Sequence, residues 1–206
     1  MNERSASGRQ LFLRWVRATW AGWVLGVPCI IALALIGEAV GIGGAQVIVG
    51  AGMGTGLGLL QGRALGGVLP RSAPWFWSCV GGLAAPFLAT DIATAAGWSS
   101  RYSLQAAVAA GGLIVGSAQA LILRRRFHHV LWWIADRTVG WALAGGTSAI
   151  AESVSRSQQL RGVWGALAYL AIVAGGGLIL GVVTGLALVG MRRRDVPSVA
   201  RDDETI

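Results

Sequence analysis

The stretch GGLIVGSAQALILRRRFHHVLWWIAD, residues 111–136, sets one glutamine, Gln119, inside an apolar run that closes on three arginines. A side-chain amide left facing hydrocarbon costs several kcal/mol, on the order of 2–7, so this residue needs a partner on another helix. The same phrase occurs twice more. Gly54, Gly58, Gln61 and Leu65 recur as Gly112, Gly116, Gln119 and Leu123, then as Gly177, Gly181, Thr184 and Leu188, at offsets of 58 and 65 residues. The first offset also carries Trp75 to Trp133 and Gly82 to Gly140, so the repeat covers a helix-loop-helix stretch and reads as a duplication.

An α-helix turns about 100° per residue, which brings positions 0, 4, 7 and 11 of the phrase within an arc of about 60°. Glycine at the first two positions admits a neighbouring backbone. Helices in lipid associate through such close approach and through interhelical hydrogen bonds, each worth about 0.6–2 kcal/mol. Gln61, Gln119 and Thr184 then sit in the join. Two readings follow: a packing seam, which the sequence favours, or a pore or ligand site lined by the three positions.

The rest of the chain has the solvent preference this requires. Apolar residues make up 54% of 206, charged residues 13%, and mean hydropathy is +0.62, outside the range of soluble domains. Spans of roughly 20 apolar residues are needed to cross a bilayer, and six segments approach that length, at about 20–40, 44–62, 75–96, 104–123, 130–151 and 163–191. The expected fold is an all-α polytopic membrane protein: six transmembrane helices as three tandem hairpins (20–66, 67–126 and 127–191) with approximate threefold pseudo-symmetry. A basic segment, 1–19, precedes them and a polar tail, 192–206, follows.

All seventeen basic residues are arginine, and they lie between the apolar segments, which argues against nucleic-acid binding and for topology. Thirteen fall on one side, three (Arg101, Arg156, Arg161) on the other, and Arg137 lies inside a span. The positive-inside rule therefore puts both termini in the cytoplasm. Trp20, Trp75, Trp77, Trp132 and Trp133 are read as inner helix boundaries, Trp98 and Trp164 as outer ones. The first span resembles a signal peptide in its arginines and Ala32-Leu33-Ala34 triplet, but Pro28 and the long preceding stretch favour an uncleaved helix.

Several charged residues are candidates for more than packing. Glu38, Asp91 and Glu152 lie near the outer ends of odd-numbered helices, as solvated or paired ends or as a shared cation or proton site. On the fifth helix His129, Trp133, Asp136 and Gly140 repeat the 0, 4, 7, 11 spacing, so a histidine and a carboxylate share a face. Two ligands are fewer than a catalytic zinc requires, and the alternative pairs Asp136 with Arg137 or a loop arginine. Arg124, Arg125 and Arg126, with Arg192, Arg193 and Arg194, close the fourth and sixth helices as topology anchors or anionic headgroup contacts. Cys29 and Cys79 are too few for a disulfide framework or thiolate metal site. Hydrolase, zinc-protease, P-loop and paired N-P-A motifs are absent, so no catalytic residue, cofactor or metal is expected.

The phrases GTGLGLLQGRAL, GLIVGSAQALILRRR and GLILGVVTGLAL, with HHVLWWIADRTVGWALAGG, resemble a loose group of small bacterial multi-pass proteins with glycine-glutamine repeats. That resemblance implies a bacterial inner membrane and nothing catalytic. Three function classes remain open: a non-catalytic subunit or scaffold packed through its seams on itself, a second copy or a membrane partner; a small-solute transporter component, similar in size to the substrate-binding subunits of energy-coupling-factor vitamin transporters; and, least favoured, an intramembrane enzyme.

Overall fold

The computed structural model describes residues 3–69, 71–98, 103–124, 126–128, 130–156 and 162–191. They form six helices: α1 (Glu3–Ala39), α2 (Val47–Ala64), α3 (Ala73–Ala95), α4 (Ser103–Leu123), α5 (Leu131–Arg156) and α6 (Gly162–Gly190). Short connections keep chain neighbours side by side. Each helix packs on the one before and after it, and α1 closes against α6, so the described residues make a ring.

Helix ends follow local chemistry. Pro74 opens α3, where its missing N–H costs nothing. Gly97, at φ 82°, stops that helix: its N–H bonds Thr94 O and the Trp98 N–H reaches Ala93 O at 2.8 Å, the 6→1 closure that needs a left-handed residue. α1 begins at Glu3 rather than near residue 20, because Trp15 and Thr19 are core residues.

Four helices, α1, α3, α4 and α6, are long and apolar enough to cross a membrane. Two of the six expected spans lack that signal for identifiable reasons. α2 has only 18 residues, six of them glycine, which contributes little hydropathy and costs about 1 kcal/mol per residue in helix propensity. α5 carries Asp136, Arg137 and Glu152.

The surface departs from that of a soluble bundle. Leu35, Ile36, Ile92, Leu131 and Leu186 lie exposed on the outside, while Thr19, Gln61, Gln119, Arg137, Thr147 and Thr184 are buried within an otherwise apolar core. An extensive apolar exterior is stable in lipid and a liability in water, and together with the four apolar helices it marks a membrane protein. Trp20, Trp77, Trp98, Trp132 and Trp164 are exposed, but Trp75 and Trp133 are fully buried. These last two were expected at the headgroups and instead occupy the core.

Candidate functional site

The glycine phrases mark close helix approaches around the ring. A methyl group at Gly54 would stand 2.5 Å from the Cys79 carbonyl oxygen, and one at Gly58 3.0 Å from that of Phe76, both on α3. On α4, Gly112 and Gly116 face Trp141 Cβ and Arg137 Cβ of α5; on α6, Gly177 and Gly181 face Trp23 and Val16 of α1. Every even helix thus lays its glycine pair on an odd helix of the same chain. α2 has a second such face, where Gly52 meets Ile30 and Gly56 meets Gly22 and Gly26 of α1.

Close approach lets the polar residue of each phrase reach its neighbours. Trp75 Nε1 donates to Gln61 Oε1 at 3.4 Å, Trp133 Nε1 to Gln119 Oε1 at 3.2 Å and Trp15 Nε1 to Thr184 Oγ1 at 2.9 Å. The three indoles touch pairwise, with ring centroids 5.8–5.9 Å apart. No solute-sized gap is left between them. On the other side of each amide, Gln61 Nε2 donates to Thr19 Oγ1 at 3.0 Å and Gln119 Nε2 to Cys79 Sγ at 3.3 Å. A glutamine therefore ties together the two odd helices that flank it. Thr184, too short for the second reach, turns its hydroxyl back to Leu180 O.

Thr19, Cys79 and Arg137 each stand one turn beyond a core tryptophan. The two small residues make room for the long one. Arg137, 1% exposed, donates from Nε to Gln119 Oε1 and from Nη2 to Gln61 Oε1, both at 2.9 Å. It thereby bridges α5 to α4 and, across the ring, to α2. Its guanidinium carbon lies 5.3 Å from the Trp133 ring centroid and 5.9 Å from that of Trp15, within cation–π range. It has no ion pair with a described carboxylate, and Nη1 has no hydrogen-bond partner.

The fifth-helix face therefore differs from the expected one. Trp133, Arg137 and Trp141 point inward, whereas Asp136 lies half-buried on the flank and does not pair with Arg137. His129 lies outside the described residues, as do Arg125, Arg192, Arg193 and Arg194. The three acids are not equivalent either. Asp91 accepts from the Gln46 and Val47 N–H groups, each at 2.8 Å, and so caps the start of α2 from α3. Glu38 and Glu152 are exposed, and no group of three metal-ligating side chains occurs among the described residues. A capping carboxylate is worth about 0.5–2 kcal/mol. Asp91→Ala should lower thermal stability by that amount while Glu38→Gln leaves it unchanged; equal losses in both would restore the shared site. Arg124 and Arg126 are exposed at the end of α4, and Arg126 Nη1 holds Val68 O at 3.0 Å.

One turn past the arginine the packing opens. A chamber of about 220 Å³ is lined from all six helices, by Trp23, Met53, Phe87, Val108, Trp141 and Val173 among others. The walls are mainly aromatic and aliphatic, with Gln105, Ser148 and Tyr169 as polar points. Trp23 and Trp141 lie in contact, centroids 5.5 Å apart. The Trp23 N–H is used by Val173 O at 3.0 Å, but Trp141 Nε1 and Gln105 Oε1 are buried without partners. Buried polar atoms are rarely left so; both residues belong to the chamber's lining, with these two atoms turned into the packing around it. The chamber had no signal in the sequence, since its wall residues are ordinary apolar ones; a buried Arg137 was foreshadowed only by its place one turn after Trp133. No known protein family matches the chain, and neither does any curated protein or solved structure.

Proposed function

We propose that the protein is a non-catalytic, ligand-binding integral membrane protein, the membrane-embedded binding component of a small-solute system. Its six helices all cross the bilayer as three pseudo-equivalent hairpins about one axis, with both termini on the arginine-rich cytoplasmic side. What supports the pseudo-symmetry is the matched set Trp15–Thr184, Trp75–Gln61 and Trp133–Gln119. The arginine asymmetry supports the topology. The resemblance to small bacterial multi-pass proteins supports a bacterial inner membrane.

The observation that carries the binding reading is the chamber, apolar, walled by all six helices and with Gln105, Ser148 and Tyr169 among its lining residues. Such a combination is the usual form of a small-molecule site. A cavity of about 150 Å³ accommodates benzene, so this one takes a single ring with a short substituent and one hydrogen-bonding group. Below it the tryptophan triangle closes the axis, and the charge of Arg137 opposes a cation there. The contacts of Gly54, Gly112 and Gly177 spend the seams inside the chain, so these glycine pairs do not serve a second copy or a membrane partner.

Native mass spectrometry of gently extracted protein tests this, with a thermal-shift panel of monocyclic aromatic alcohols and amides. The expected result is a retained or stabilising small molecule, whose effect Val108→Phe abolishes by filling the chamber with less than about 1–3 kcal/mol of overpacking cost. A stoichiometric protein partner with no bound or stabilising small molecule would return the scaffold reading.

A further inference from the structure

A second concavity lies at the arginine-bearing end, between the start of α3 and the end of α4. It is an open groove of about 720 Å³, lined by Arg71, Arg124 and Arg126 together with Leu69, Pro74, Leu121 and Ile122. Among the described residues no acid lines it, and three guanidinium groups do. Arg126 is held in place through Nη1 on Val68 O, and its other N–H groups remain for a ligand. The first turn of α3 adds to the field, since Ser72 makes no side-chain cap bond to it and free N–H groups at a helix start attract anions.

From this arrangement we infer that the groove binds the headgroup of an anionic glycerophospholipid. The guanidinium groups match phosphate oxygens in a bidentate geometry. The apolar half of the lining decides between lipid and a free anion: Leu121 is an exposed side chain on the outside of the ring, where an acyl chain would run, and a soluble phosphate has no use for it. Trp77, also exposed, stands one turn along α3 from Pro74, as an aromatic ring at headgroup depth does. The site is separate from the six-helix chamber, and neither depends on the other.

The experiment is native mass spectrometry of the full chain titrated with dioleoylphosphatidylglycerol or dioleoylphosphatidylcholine, with glycerol 3-phosphate as soluble competitor. Wild type is expected to hold one phosphatidylglycerol in preference to phosphatidylcholine and to keep it against the competitor. Arg71→Gln with Arg124→Gln should weaken that binding by roughly tenfold, while the equal charge loss of Arg14→Gln with Arg17→Gln on α1 should not. Equal occupancy by the two lipids, displacement by glycerol 3-phosphate, or equal weakening by both double variants would overturn the inference. If the groove variant does not fold, the wild-type lipid comparison and competition decide alone.

Discussion

Replacing Gln61 with leucine is expected to lower stability by about 3–5 kcal/mol, and adding Arg137→Met to that variant is expected to recover most of the loss. The reason is an asymmetry in what each residue leaves behind. Gln61 Oε1 accepts from Arg137 Nη2 and from Trp75 Nε1, so its removal strands a buried cation with one amide acceptor and orphans an indole N–H. Stranding a buried charge costs far more than the net worth of the bonds it made.

Arg137→Met alone strands nothing comparable. Each glutamine keeps a tryptophan donor, Trp75 for Gln61 and Trp133 for Gln119, and a buried charge without a carboxylate is gone. The single variant should therefore lie within about 1–2 kcal/mol of wild type, on either side, as apolar replacements of buried ionic groups do. A double-mutant cycle read by loss of near-ultraviolet circular dichroism in mixed detergent would give a coupling of more than about 1 kcal/mol. Additive losses would mean that the arginine and the glutamine do not depend on one another.

Much of the ring was legible because its cause is periodic. The glycine pairs and the polar residue after them recur at offsets of 58 and 65 residues, and the demand that a buried polar side chain find a partner pointed to helix joins at Gln61, Gln119 and Thr184. What those side chains bond was not legible. Trp75 and Trp133 look alike whether a ring lies at the headgroups or in the core, because the aromatic residue before an apolar run fits both. Arg137 and Asp136 are adjacent, and adjacency in sequence favours an ion pair; a helix turns 100° between them, which sends the arginine inward and the aspartate to the flank. Asp91 resembles Glu38 in type and approximate depth, yet it stands over the start of α2 and caps it. The chamber is a void among Val, Leu, Phe and Trp side chains, and a void has no residue of its own to be read.

The same dependence on backbone proximity separates glycines that look equivalent in the sequence. Gly54→Ala is expected to abolish the folded protein, or to cost it at least about 3 kcal/mol, whereas Gly81→Ala should be neutral or gain up to about 1 kcal/mol. At Gly54 the added methyl meets backbone, the Cys79 carbonyl oxygen at 2.5 Å and Val80 Cα at 2.6 Å, and backbone cannot rotate away as a side chain can. α2 and α3 would have to part. The Trp75 Nε1 to Gln61 Oε1 bond, already at 3.4 Å, would then be lost and the indole triangle opened. Around Gly81 nothing beyond its own turn of helix lies within 4 Å of the new methyl, so only the better helix propensity of alanine remains. Size-exclusion profiles and thermal melts of the two variants in one detergent give the comparison. If Gly54→Ala melts with wild type, the two helices do not touch where their glycines place them, and the polar core has lost the packing on which its hydrogen bonds depend.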